Sequence, residues 1–419
     1  MFAEFKRRSQ HMLPAITTSI AFLLSTTALS YAAGLPYGAA KEDFIAALAD
    51  MDPVELVMQV TGSPGDENSL ASEQYVAAVT EWSGGKIQGK VVYGNAILAG
   101  NTAPAVADGR ITFGGVIAQY DPSNFPISAG LVDLSFVSNS SPIAGALQTW
   151  GTLMEASGTE EAIEEQRDYG VEPLFIQGGT TASGLFCTEP RNDVAKLAGV
   201  QTRAGGLIHG REVDALGASA VSLPYSEMFE GLQRGIIGCA LTSITTAKVA
   251  GIIPLAPYHA LAPANTGFGL TTTNMAFDIV FWEEIPLEAR QLLWDLSKAY
   301  IRQTILASWT QTQVGLQDIA DAGGEVLELS PDAAERLVAE NSKVLEEMRS
   351  FQHFGDGNAV VEGFLAAADK WEAIVAELGY AELDPGWANF GAWYEPGKVD
   401  IDPFVDRLFE EILLPNRPE

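Results

Sequence analysis

The residues that could carry chemistry are few and scattered. Histidine occurs four times, at His11, His209, His259 and His353, and cysteine twice, at Cys187 and Cys239. The three later histidines stand far apart with no acid at metal-ligand spacing, so each reads as a structural or surface side chain. G-x-S-x-G, H-E-x-x-H, C-x-x-C and Walker loops are all absent, which weakens the common enzyme classes. Asp356-Gly357-Asn358 opens like a calcium loop, but Val360 and Glu362 fall at the next ligand positions and spoil it. Cys187 could act as a nucleophile with a distant histidine, or it could pair with Cys239. In an oxidising compartment an even cysteine count favours a disulfide, worth roughly 4 kcal/mol in the chain-entropy model for a loop of about fifty residues. Two buried free thiols are the other reading.

The compartment is suggested by the first residues. Lys6, Arg7 and Arg8 form a basic segment, an apolar stretch runs from about Leu13 to Leu29, and Ser30-Tyr31-Ala32-Ala33 offers a small-residue cleavage site. Residues 1–33 therefore read as a cleaved export signal, too rich in serine and threonine for an ideal membrane span. No cysteine stands near the cleavage site to take a lipid, so a free periplasmic protein is expected. The formal net charge is −30. Such a surface repels nucleic acid and anionic lipid, so neither nucleic-acid binding nor membrane insertion after signal cleavage is expected.

The elements that must position any site follow an α/β rhythm. Strand-like runs at Glu55–Thr61, Lys86–Tyr93 and Gly109–Val116 are separated by a helical pattern at Ser69–Trp82, as in a parallel sheet covered by helices. An acidic helix at Gly158–Tyr169 leads into an apolar strand at Glu172–Gln177. A second block starts near Gly178, with strands at Val200–Arg203 and Ala220–Leu223 and helices at Gly210–Leu216 and Ser226–Arg234. The last of these follows Pro224, and its N-terminus would point backbone N–H groups at a nearby anion. From Pro286 to about Ala322 Leu292, Leu293, Leu296, Tyr300, Ile301 and Ile305 form one stripe, and Gly323-Gly324 stops it. A helix of that length reaches roughly 50 Å, longer than one small domain. Helical patterns at Asp332–Arg349 and about Val360–Glu377 follow, then a tail rich in proline, glycine and aromatics, with a last helix near Pro403–Leu413.

Residues 197–242 carry a resemblance. The run "LAGVQTRAGG … ALGASAVSLPYSEMFEGLQRGIIGCALT" resembles the DctP-type extracytoplasmic solute receptors of tripartite ATP-independent periplasmic (TRAP) transporters. Gly199, Arg203, Leu216-Gly217-Ala218, Pro224-Tyr225-Ser226-Glu227 and Leu232-Gln233-Arg234-Gly235 match that family's pattern in order, and weaker similarity reaches back through "TEWSGGKIQGKVVYGNAI" and "GRITFGGVIAQYDPSNFP" and onward to about residue 380. The resemblance implies two α/β lobes, joined by crossing strands and a long lobe-spanning helix, that close over a ligand. It implies that Arg203 holds the ligand carboxylate, that Tyr225 lines the cleft, and that Thr242 falls where many members have a ligand-binding asparagine. Two departures stand out: Gly238-Cys239 replaces the usual Asp-Gly, and Thr242 replaces asparagine. An additional upstream arginine found in several relatives is missing, with Thr180, Thr181 and Ser183 in its neighbourhood. One cationic contact points to a monocarboxylate or a less charged acid. A cysteine pair at 187 and 239 looks like a disulfide-bearing subgroup of these receptors. From the first lobe, Tyr93, Asn95, Gln119 and Tyr120 sit on loops after strands, where open α/β sheets place ligands.

The expected organisation is therefore a signal at 1–33, first lobe at 34–177, second lobe at 178–258, a return to the first at 259–285, the spanning helix at 286–322, second-lobe and C-terminal helices at 323–380, and an extension at 381–419. The expected role is a two-lobed periplasmic receptor, not an enzyme, that passes a small organic acid to TRAP permease subunits without cofactor or metal. A secreted hydrolase using two carboxylates is the rival, since that chemistry has no short motif. A receptor of the same fold serving a sensor or another transporter class is the second.

Overall fold

The computed structural model describes residues 34–179, 182–264 and 266–419. The export signal expected over 1–33 lies outside them, as do Thr180, Thr181 and Asn265. The described residues hold eleven strands: β1 Val54–Gln59, β2 Ile87–Val92, β3 Phe113–Val116, β4 Val171–Ile176, β5 Ser183–Cys187, β6 Gln201–Ala204, β7 Ser219–Ser222, β8 Cys239–Ser243, β9 Tyr258–Leu261, β10 Asn274–Asp278 and β11 Glu325–Glu328. They form two sheets, ordered β2-β1-β3-β10-β4 and β11-β9-β5-β8-β6-β7.

The first sheet grows from the pattern read above. Alternation in VELVMQ buries Leu56 and Met58, and β1 pairs in parallel with β2 from Val54↔Ile87 to Gln59↔Val92. Helix Glu67–Trp82 makes the crossover and buries Tyr75, Val76 and Val79. The third strand is shorter than its apolar run, because helix Ala103–Ala107 and a turn at Gly109 occupy the residues before it. The chain is still in the second sheet at β9, where His259 pairs with Phe186 of β5, and it re-enters the first with β10, antiparallel to β3 and β4. His259, Ala260 and Leu261 thus still pair with β5, and the chain leaves the second sheet after Leu261.

The helix over Leu287–Asp321 is long enough to span both lobes, and it does. Its first half, where Leu292, Leu293, Tyr300 and Ile301 are buried, packs on helix Glu67–Trp82 of the first lobe, and its second half meets helix Ile244–Val249 of the second. Tyr75 donates its hydroxyl to Leu293 O at 2.9 Å, and its ring lies 5.4 Å from those of Tyr300 and Phe113. Pairs of this kind each contribute about 1 kcal/mol beyond the area they bury. Helix Pro331–Met348 lies on helix Leu207–Ala215, and helix Gly357–Glu377 on Ala144–Ala156. At the latter crossing a Cβ on Gly151 would stand 2.0 Å from the Trp371 ring, so only glycine admits that buried indole. The tail continues with helices Trp387–Trp393 and Asp402–Leu408, the second passing into a π-turn over Phe409–Leu413. No helix among the described residues is long and apolar enough to cross a membrane.

Candidate ligand-binding site

Arg203 is the third residue of β6, flanked by Val221 of β7 and Ala240 of β8. Only 1% of it is exposed. Its Nε donates to Leu223 O at 2.8 Å, Nη1 to Leu241 O at 2.9 Å and Nη2 to the Tyr120 hydroxyl at 3.1 Å. A guanidinium has five N–H groups, so one on each Nη remains. Among the described residues no carboxylate forms an ion pair with it. Burial lowers its pKa from the ordinary value and the Tyr120 hydroxyl opposes that, but an arginine stays charged. The backbone makes room for it: a Cβ on Gly205 would stand 2.6 Å from Arg203 Nη2 and 2.7 Å from Thr271 Oγ1.

His209 fixes that glycine from behind. The Gly205 N–H donates to its Nδ1 at 3.3 Å, and its Nε2 donates to Gly269 O at 2.7 Å. Burial, and then the charge of Arg203, pushes its pKa down to about 3, so the ring is neutral and this tautomer satisfies both nitrogens. Glu212, one helical turn on, accepts the Gly269 N–H at 2.7 Å, and burial holds its carboxyl well above the usual range.

A cavity of about 370 Å³ lies in front of the guanidinium, walled from both lobes. It brings together Asn95, Tyr120, Ser183, Arg203, Tyr225 and Thr242. Hydrogen bonds between the lobes cross it, among them Arg203 to Tyr120, and Asn95 Nδ2 to the Tyr225 hydroxyl at 3.1 Å. Asn95 reaches across from a left-handed backbone, φ 55, which asparagine tolerates better than most residues. The Tyr120 hydroxyl also accepts the Tyr225 N–H at 3.3 Å, so its own hydrogen is left to donate into the cavity.

Other expected residues go elsewhere. Gln119 is buried, donates Nε2 to Leu270 O at 3.2 Å, and lines a separate small cavity with Phe125 and Asn274. The tight turn Ala118–Tyr120 sends neighbouring side chains in different directions, so only Tyr120 faces the ligand cavity. Tyr93 is not on the wall either; its hydroxyl donates to Glu73 at 2.9 Å, back onto the first-lobe helix. Thr181 lies outside the described residues. The anion-facing helix expected after Pro224 is a 3-10 turn, Tyr225–Glu227, followed by six α-helical residues, Met228–Gln233. The wall also contains Trp150, the run Thr271–Thr273 and Tyr300, none foreseen as site residues. A threonine run just before an apolar strand was the one local signal; Trp150 and Tyr300 look like ordinary core positions in sequence.

Cys187 and Cys239 are directly opposed across β5 and β8 and form a disulfide. Residues 59–351 match the family model of the bacterial extracellular solute-binding proteins, family 7, the DctP family. The chain belongs to this family. Its members are solute receptors rather than catalysts, which accounts for the missing enzyme motifs. Solved structures of the same fold include a marine metagenome TRAP solute binding protein from an unidentified microbe, specific for aromatic acid ligands and bound to 3-hydroxybenzoate. It is 19% identical, with 76% of this chain and 99% of that chain covered at a TM-score of 0.65. The ectoine-binding protein of the TeaABC TRAP transporter of Halomonas elongata matches at 18% identity, 76% and 100% coverage and a TM-score of 0.65. The sugar acid binding protein DctPAm of Advenella mimigardefordensis, in complex with galactonate, matches at 16%, 77% and 100%, and 0.64. No curated protein matches this chain.

Proposed function

We propose that this DctP-family protein is a periplasmic receptor that captures a small organic acid and delivers it to TRAP permease subunits. The ligand carboxylate would dock on the two remaining N–H groups of Arg203. The observation that carries this reading is a guanidinium buried to 1% with no acidic partner among the described residues, facing a cavity walled by both lobes. An isolated buried charge is costly, and a bidentate carboxylate is its best complement. Structurally similar proteins bound to 3-hydroxybenzoate, galactonate and pyroglutamic acid support an acid ligand. Tyr120, Asn95 and Tyr225 would hold the lobes together over it. The rival hydrolase is disfavoured because Glu67 is the one carboxylate on the described wall, and that chemistry needs two.

A thermal-shift screen against organic acids tests the proposal. A ligand at a hundred times its dissociation constant adds about 2.7 kcal/mol of stability. Arg203→Ala is expected to abolish the shift while circular dichroism shows the fold retained. An undiminished shift in that variant would refute the carboxylate site.

A further inference from the structure

The cavity wall has an unusual chemistry. Ligand pockets are mostly lined by apolar and aromatic side chains with a few polar groups. Here serine and threonine outnumber every other residue type on the described wall, and Arg203 and Glu67 are its only charged members, His209 being neutral. Several of these hydroxyls are committed to the protein: Thr304 donates to Tyr300 O at 2.8 Å and Ser308 to Ile305 O at 2.7 Å. Others are not. Ser183 and Thr242, 6% and 4% exposed, line the cavity with no side-chain hydrogen bond among the described residues, and Thr273 shares that state.

The placement of these groups is ordered. Arg203 Nη1 is bonded to Leu241 O, so Thr242 follows directly on the residue that anchors the guanidinium. Ser183 lies beside it on β5, where Gly184 pairs with Thr242 and Ser183 with Ser243. The Tyr120 hydroxyl already accepts two hydrogen bonds and keeps its hydrogen. The Tyr225 hydroxyl accepts from Asn95 and keeps its own. A single positive centre is thus surrounded by neutral groups that both donate and accept. A ligand with a second carboxylate would find no second cation on the described wall and would meet Glu67. An unsubstituted aliphatic or aryl acid would leave the buried hydroxyls unpaired, which is costly.

We infer that the ligand is a monocarboxylate with a hydroxylated aliphatic body, its acid group on Arg203 and its hydroxyls on Thr242, Ser183 and Thr273, the hydroxyls of Thr271 and Thr272 being held by Gly205 O and Gln177 O. This rests on the receptor reading above and narrows it. The hydroxyl has the dual donor and acceptor character that this wall matches, and neither an amine nor a second acid does.

Calorimetric titration of the full chain with glycerate, threonate and gluconate, against hexanoate, benzoate and glucarate, tests it. At least one hydroxylated monocarboxylate is expected to bind a hundredfold or more tighter than every comparator. Thr242→Val, nearly isosteric, is expected to weaken that probe about tenfold while leaving hexanoate binding unchanged. Hexanoate, benzoate or glucarate binding as tightly as the hydroxylated set overturns the inference, as does a Thr242→Val effect equal for all acids, or failure of the whole hydroxylated set. The receptor reading fails separately: it falls if no acid in either set binds, or if Arg203→Ala leaves binding intact.

Discussion

His259 lies on β9, next to the edge strand β11 of the second sheet, fully buried, its ring stacked on Phe186 with centroids 3.9 Å apart. Neither ring nitrogen has a hydrogen-bond partner among the described residues, and burial pushes its pKa down to about 3. In the unfolded chain the same ring has a pKa near 6.5. The unfolded state therefore takes up the proton first, so the contribution of His259 is intact above pH 6.5 and is lost as pH falls from there toward 3. His209 adds to the same trend. Asp133, raised by burial to about 7, has the opposite sign: its contribution is complete below pH 3.8 and is lost as pH rises through 7. His259→Leu isolates one term. At pH 7 it is expected to cost little, because no hydrogen bond is given up, whereas at pH 4.5 it should gain roughly 2–3 kcal/mol over the parent. Urea unfolding at the two pH values measures this, and parallel pH profiles for parent and variant would contradict the assignment.

At the scale of elements, the disulfide joins the two strands that carry the cavity's hydroxyl wall. Cys187 ends β5 and Cys239 opens β8, 52 residues apart in sequence and 4.1 Å apart between Cα atoms. The enclosed loop contains β6, with Arg203, and β7. Cross-linking a loop of that length restricts the unfolded chain by about 4 kcal/mol in the entropic model. The Cys187→Ala, Cys239→Ala double variant is expected to lose stability on that scale in chemical denaturation, and the parent with added reductant should approach it. A loss below about 1 kcal/mol would mean that the unfolded chain is already constrained there.

For the whole molecule, the segment after residue 380 lies beyond the 59–351 span of the family match, and it ties the two lobes. Asp384 accepts the N–H groups of Ile143 and Ala144 at 2.9 and 2.8 Å, capping a first-lobe helix. Trp387 donates its indole N–H to Ser140 O, and its ring packs against the hydrophobic clusters of both lobes. Gln313 of the spanning helix donates to Tyr394 O at 2.7 Å. The tail thus packs on the side of the spanning helix opposite the cavity face formed by Thr304, Ala307 and Gln311 of the same helix. Trp387→Ala is expected to lengthen and broaden the distance between spin labels at Lys90→Cys and Arg234→Cys, read by double electron–electron resonance. An unchanged distribution would show that the tail does not limit opening.

Much of this was written locally. The 3.6-residue stripe through Leu292, Tyr300 and Ile305 specified the spanning helix, because burying one face of so long a helix needs no distant information. The segment around Arg203 marked the family and the cationic centre, and the count of two cysteines favoured their pairing. Tertiary structure decided the rest of the site. Gln119 and Tyr120 are adjacent, yet only one meets Arg203, 83 residues away, and Tyr93 turns to Glu73 although Asn95, two residues on, reaches Tyr225. Trp150, Tyr300 and the threonines at 271–273 became cavity wall only when two sheets and a crossing helix closed around them. Periodicity records which face of an element is buried. Whether that face meets core or cavity depends on what packs opposite, and that is set by chain segments far away in sequence.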